Sequence, residues 1–250
     1  MAVFGGIDIG SRSIELVVRD QQRVISRHKT ATTFDPLTQI HSLIKGFHFD
    51  RLVATGYGRG LVEGSALCPQ TETITEIKAY GLGASDLFPG VRTVLDIGGQ
   101  DTKAIALQEG RISKFEMNDR CAAGTGKFLE HLATVFQISL EEFGTYALEG
   151  TNRLEINSMC TVFAETEAIS LMARGTNPRD IALGLHASIV KRTLGMLARV
   201  GLRQPLLFAG GVANNPCVVH LLSEALGLPP FIPDQPEMVG AHGAALHACR

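Results

Sequence analysis

Apolar and polar positions form two matching blocks of short runs, and elsewhere apolar residues recur at helical spacing. Residues 14–19 are an apolar-rich run, 20–22 a polar turn and 24–29 a second run. The same order returns at 102–107, 108–110 and 111–117. Period-2 runs joined by short polar turns predict hairpins. After Gly126, the residues Phe128, Leu129, Leu132, Val135 and Phe136 predict a helix. Residues 162–174 read as another, closed by Gly175, and Pro178 opens a third carrying Ile181, Leu185, Ile189, Leu194 and Leu197. A buried strand at 205–209 then runs into Gly210-Gly211 and a helix over about 215–226. Strands mixed with helices predict an α/β architecture.

Each hairpin follows an Asp-Ile-Gly segment, Asp8-Ile9-Gly10 and Asp96-Ile97-Gly98, and the two aspartates are 88 residues apart. Arg23 and Arg111, which open the second runs, keep that offset. Two matching units predict a duplicated fold with two related lobes. No low-complexity linker separates them, so the boundary is set near 88–91. The first lobe is then 1–90, completed by a C-terminal helix over 240–250, and the second is 91–239.

Composition narrows the function classes. The chain has 250 residues and is 45% apolar, enough to bury a substantial core. A formal charge of −2 gives no reason to expect nucleic acid or an anionic membrane as partner. The N-terminus lacks the charged and apolar regions of a signal peptide, and no run reaches the roughly 18 apolar residues of a membrane span. Five irregularly spaced cysteines, Cys68, Cys121, Cys160, Cys217 and Cys249, argue against a disulfide framework and for a reduced, cytoplasmic protein.

In both Asp-Ile-Gly units an apolar strand ends at a carboxylate and then meets glycine. Glycine lets the backbone turn sharply and aim N–H groups at phosphate oxygens. Gly10, Ser11 and Ser13 line the first turn; Gly98, Gly99, Gln100, Asp101 and Thr102 line the second. Asp8 and Asp96 would face each other across a cleft and hold a hydrated Mg²⁺, which takes one or two carboxylates plus phosphate oxygens. Gly210-Gly211 and the segment from Gly240 to Gly243 are candidates for flat backbone around an adenosine. Ala122-Ala-Gly124-Thr-Gly126-Lys127 imitates part of a Walker A loop but has Cys121 and Phe128 where the pattern needs Gly and Ser or Thr. A Rossmann fingerprint fails too, because Gly6-Ile-Asp8-Ile-Gly10 lacks its glycine spacing.

Cys121 and Cys160 each stand just before a predicted helix, where the dipole favours thiolate and a negatively charged cluster. Two thiolates are half of an iron–sulfur site, which normally takes four. Two chains around a symmetry axis would complete it; the plain alternative is a pair of buried, packing thiols. No Cys/His cluster has zinc spacing. His41, His131, His186 and His220 read as surface or packing residues, and Cys68, Cys217 and Cys249 as structural.

Together these residues resemble the BadF/BadG/BcrA/BcrD family, the ATP-dependent activators of 2-hydroxyacyl-CoA dehydratases and ATPase subunits of benzoyl-CoA reductases. The carrying motifs are Gly6-Ile-Asp8-Ile-Gly10-Ser11, Thr55-Gly-Tyr-Gly-Arg59, Thr75-Glu76-Ile77, Asp96-Ile-Gly-Gly-Gln-Asp101, both cysteine segments, Ala209-Gly-Gly-Val212 and Gly240–Leu246. The cysteine segments are specific; the glycine turns fit any actin, sugar-kinase or heat-shock-chaperone relative. The resemblance implies a two-lobed actin-like ATPase fold of duplicated RNase H-like units. It implies a homodimer sharing one [4Fe-4S] cluster through Cys121 and Cys160 of each chain. Asp8, Asp96, Gln100 and Asp101 would be catalytic, with Asp8 and Asp96 on Mg²⁺ through water. Gly10, Ser11, Ser13, Gly98, Gly99, Thr102, Gly210, Gly211 and Gly240 would hold ATP or ADP. A ferredoxin or flavodoxin would supply electrons, and ATP hydrolysis would drive one at low potential to a partner iron–sulfur dehydratase or reductase. The chain departs from the pattern after Ile77, with Lys78-Ala79-Tyr80 where Ser-Cys-His is usual. Competing readings are a small-molecule kinase of the same superfamily and a redox-silent ATP-binding regulator.

Overall fold

In the computed structural model, which describes residues 2–63, 67–68, 70–156 and 160–250, each Asp-Ile-Gly segment ends the first strand of a separate sheet. The first sheet contains β1 (Phe4–Ile9), β2 (Ser13–Arg19), β3 (Val24–Ala31), β4 (Arg51–Thr55) and β5 (Thr71–Thr73), in the order β3-β2-β1-β4-β5. The second contains β6 (Thr93–Ile97), β7 (Thr102–Gln108), β8 (Arg111–Asn118) and β9 (Leu206–Ala209), in the order β8-β7-β6-β9. In each, an antiparallel meander is extended by a strand parallel to its first member, β4 beside β1 and β9 beside β6. The duplication reaches the irregularities, since register shifts fall at Val18/Arg19 and at Ala106/Leu107, positions with the same offset.

The apolar pattern explains which strands are central. β1 and β6 are buried on both faces, whereas β3 alternates between half-buried and exposed at its sheet's edge. One face of the first sheet packs Ile7, Ile9, Ile14, Leu16 and Leu52 against Ile40 and Ile44 of α1 (Pro36–Ile44), whose first turn is capped by Asp35. Its other face receives α8 (Val239–Ala248), which lies on β1, β2 and β4 and along α2 (Glu76–Leu87). α2 in turn contacts β6, β7 and β8, so these two helices lie between the sheets.

Around the second sheet stand α3 (Gly126–Phe136), α4 (Leu140–Leu148), α5 (Thr161–Ala173), α6 (Pro178–Val200) and α7 (Pro216–Leu226). Their core gathers Phe128, Phe143, Ile181, Leu185, Phe208 and Leu221, each essentially inaccessible. α6 is long and apolar enough to span a bilayer, but it is a core helix here, packed on α4, α7, β7 and β8. The helices expected at 162–174 and 215–226 form with ends displaced by one residue.

Candidate functional site

The strand registers put charged residues into two equivalent rows. Lys29, Glu15, Asp8 and Thr55 face one another across β3, β2, β1 and β4; Met117, Lys103, Asp96 and Ala209 do so across β8, β7, β6 and β9. Directly opposed residues share a sheet face. Each turn closes with one backbone bond, Gly10 N–H to Ser13 O at 3.0 Å and Gly98 N–H to Asp101 O at 2.9 Å. Beyond the parallel strand of each lobe stands a glycine with positive φ, Gly56 at 93° and Gly210 at 84°. A Cβ on either would collide with Oδ1 of Asp8 or Asp96, so the backbone closes over both carboxylates. The two turns meet where Ser11 and Arg12 pack on Gly99. Ion pairs flank the junction, Arg12 with Glu130 of α3 at 2.6 Å and Lys29 with Glu237 at 2.8 Å.

Lys103 dominates the electrostatics. It is 2% exposed, and its Nζ reaches Glu76 at 3.1 Å, Asp96 at 3.0 Å and Asp101 at 2.7 Å. Burial alone would lower its pKa, but Asp96, Asp101 and Glu76 outweigh this and raise it. Burial pushes Asp96 up to about 6 despite that partner. Burial, then Glu15 and Glu76, holds Asp8 well above the usual carboxylate range. Asp96 Oδ1 and the Thr55 hydroxyl are buried and have no hydrogen-bond partner among the described residues.

Glu15, also buried, accepts from the Ser13 hydroxyl, yet desolvation pushes it up to about 7 from an ordinary 4.5. Between those values the folded protein keeps a proton that the unfolded chain has released. The nucleotide-free protein is therefore expected to lose stability as pH rises from about 5 to about 8, by up to about 3 kcal/mol for Glu15 alone. Thermal melts across that range check this; Glu15→Gln should flatten the slope, and an unchanged slope would assign it elsewhere.

Asp8, Gly10, Ser11, Ser13, Asp96, Gly98, Gly99 and Asp101 thus lie in two meeting turns, with exposed Gln100 at the tip of the second. Thr102 is not among them: it pairs with Ile97, on the opposite face from Lys103, and its hydroxyl donates to Gly124 O at 2.7 Å. Gly210 follows β9, and Gly211 opens the 3₁₀ turn Gly211–Asn214. Gly240 lies inside α8 rather than in a flat turn, because its missing Cβ admits the Asp8 carboxylate and the Tyr80 ring edge. The sequence reading passed over Lys103 and Glu15. Their signal was a charge inside an apolar strand, at the shared offset of 88 residues.

Cys160 is the N-cap of α5, and its thiol makes no capping bond. Cys121 is not at a helix end: Gly124, with φ of 89°, interrupts the chain, and Thr125 is the N-cap of α3. The Cys121 loop is nevertheless tied to the second turn. Gly126 N–H donates to Gly98 O and Lys127 N–H to Gly99 O, both at 2.8 Å, while Asn118 Nδ2 donates to Cys121 O at 2.9 Å. His131 of α3 and Glu165 of α5 join the two helices at 2.7 Å. Both thiols are free and partly exposed. Residues 157–159 of the Cys160 motif lie outside the described residues. Cys217 is a buried core thiol, raised to about 12 by burial, and His186 is a buried packing residue bonded to Ala182 O and Asn215.

Residues 6–248 match the BadF/BadG/BcrA/BcrD ATPase family. The chain belongs to that family. Among its relatives, the (R)-2-hydroxyglutaryl-CoA dehydratase activating ATPase of Acidaminococcus fermentans is 36% identical over 97% of this chain and 95% of its own. The activator of lactoyl-CoA dehydratase of Anaerotignum propionicum is 37% identical over 97% and 96%. The solved activator of the 2-hydroxyisocaproyl-CoA dehydratase from Clostridium difficile, with bound ADPNP, is 33% identical, superposes with a TM-score of 0.88 and covers 99% of this chain and 94% of that one. A glucokinase of the ROK family from Streptomyces griseus, 15% identical with a TM-score of 0.61 over 99% of each chain, shares the fold alone. The family's fold here is the actin-like ATPase fold, two sheets of one plan with helices between and around them.

Proposed function

We propose that this protein is the ATP-dependent activator of a partner 2-hydroxyacyl-CoA dehydratase or related reductase, working in the cytoplasm as a homodimer. Each copy comprises lobes 1–90 and 91–239, the first completed by the C-terminal helix. Mg²⁺·ATP binds between the turns: Gly10, Ser11, Ser13, Gly98, Gly99 and Gln100 take the phosphates, and Gly210 and Gly211 flank the adenosine. Asp8 and Asp96 hold the metal through water. The unpartnered, buried Asp96 Oδ1 fits that use, although no group of three or more His, Cys, Asp or Glu side chains among the described residues is set to hold a metal directly. Asp101 keeps Lys103 in place.

The donor set of Cys121 and Cys160 fits a shared [4Fe-4S] cluster: two free, partly exposed thiols per chain, on segments joined through α3 and α5. Val162 and Phe163, 62% and 70% exposed, follow Cys160 and give a second copy an apolar surface to cover. Such a cluster supplies single-electron chemistry at low potential, loaded by a ferredoxin or flavodoxin. The observation that carries the reading is the pair of bonds from Gly98 and Gly99 to the first residues of α3. A turn that senses phosphate is thereby fastened to the Cys121 loop, and ATP and ADP can favour different arrangements because only ATP offers a γ-phosphate.

Anaerobic purification with iron and acid-labile sulfide analysis tests this. About four irons per dimer are expected, and Cys121→Ser should give colourless protein with weakened dimerisation. Iron-free wild-type protein after strict anaerobic work would overturn the reading.

A further inference from the structure

The third residue of the departure Lys78-Ala79-Tyr80 lies between the two sheets, beside the carboxylates proposed to hold the metal. Tyr80 is 6% exposed on α2, between the two sheets. Lys103 Nζ sits 5.5 Å from the centre of its ring. Its edge faces Gly240 of α8, where an added Cβ would lie 2.9 Å from Cε2. The same Cβ would collide with Asp8 Oδ2, and Lys103 Nζ is 3.0 Å from Asp96 Oδ2. One side chain therefore stands between the carboxylates that end β1 and β6.

The chemistry of its neighbours is one-sided. With the metal of the proposed ATPase bound, the carboxylates are ionised and only accept hydrogen bonds, and the Lys103 ammonium is engaged by Glu76, Asp96 and Asp101. The Ser13 hydroxyl is given to Glu15. The Tyr80 phenol, neutral at ordinary pH, is a donor among these carboxylates, beside the donors of the two turns.

We propose that Tyr80 donates its O–H to the terminal phosphoryl group of bound ATP and is a catalytic residue of hydrolysis, an inference that rests on the ATPase reading above. In that step water adds to the γ-phosphorus, and the bond to the β–γ bridging oxygen breaks. ADP leaves with the bonding pair. One water proton stays on the phosphate and the other passes to solvent, while Tyr80 is unchanged. Charge spreads over the equatorial oxygens as the bond breaks, where a fixed donor in a dry site stabilises it most.

Tyr80→Phe in the full chain removes one oxygen and keeps the ring over Lys103. The kcat for ATP hydrolysis is expected to fall about 10-fold or more, by comparison with losing a single fixed donor elsewhere. The Kd for ADP and the Tm should be unchanged. Tyr80→His, which returns a ring donor, should recover most of the loss. A Tyr80→Phe protein hydrolysing ATP at the wild-type kcat overturns the proposal. So does one in which ADP affinity and Tm fall together with kcat, since that marks a packing residue. Wild-type protein that hydrolyses no ATP would instead remove the reading on which this one stands.

Discussion

Replacing Lys103 by methionine is expected to abolish ATP hydrolysis and to lower the Tm by on the order of 10 °C. The basis is a count of charges in a closed space. One ammonium, 2% exposed, contacts carboxylates from α2, β6 and the second turn. Removing one partner of a buried ionic group typically costs about 3 to 5 kcal/mol, because the remaining charges are left unpaired. For a chain of this size 1 kcal/mol corresponds to roughly 2 to 4 °C in Tm. Asp96 responds first: already pushed up to about 6, it loses the cation that opposes its protonation. Proton uptake by Asp96 would blunt the loss of stability but not the loss of hydrolysis, since a neutral carboxyl holds a hydrated cation poorly. Lys103→Met combined with Asp96→Asn should therefore be less destabilised than the two single changes added together. Melts and steady-state hydrolysis on the three variants check this. A Lys103→Met protein with wild-type Tm would mean that the three carboxylates do not depend on their common cation.

Much of this site could be read before the fold was known, for a specific reason. The Asp-Ile-Gly turns are local, and duplication printed them twice with a constant offset that survives in the Gly10–Ser13 and Gly98–Asp101 bonds. Lys103 and Tyr80 escaped because their meaning is not local. α2 carries Tyr80 and Glu76 into place only by packing between α8 and the second sheet, and β4 and β9 complete the rows by pairing with distant strands. The helix begins where its apolar spacing predicts, but Cys121 stands farther from its N-terminus than adjacency in sequence suggests, because Gly124 turns the chain with a positive φ before the Thr125 cap. Gly240 reads both as flat backbone around an adenosine and as the start of the C-terminal helix; it lies in the helix, and is small because α8 lies against the Asp8 carboxylate.

Asp8→Asn and Asp96→Asn are each expected to abolish ATP hydrolysis, by about 100-fold or more given what metal-holding carboxylates contribute to phosphoryl transfer. The brown colour and visible spectrum of anaerobic protein should stay intact. Both asparagines keep the shape of the site; Asp8→Asn removes a charge that holds the metal's water, and Asp96→Asn removes in addition one of the three carboxylates on Lys103. Stability sharpens the test. Burial, Glu15 and Glu76 all disfavour the charged form of Asp8, so Asp8→Asn should be at least as stable as wild type near pH 8. Loss of hydrolysis in that variant is then attributable to chemistry rather than to unfolding. The Cys121 loop, for its part, is fastened to the second turn through backbone bonds that neither substitution touches, Gly126 to Gly98 and Lys127 to Gly99. Hydrolysis at the wild-type rate in Asp8→Asn would remove the metal from its proposed place. Bleaching of either variant would show that the carboxylates support the cysteine loops directly, and that nucleotide chemistry and cluster assembly are not divided between the turns and the cysteine segments.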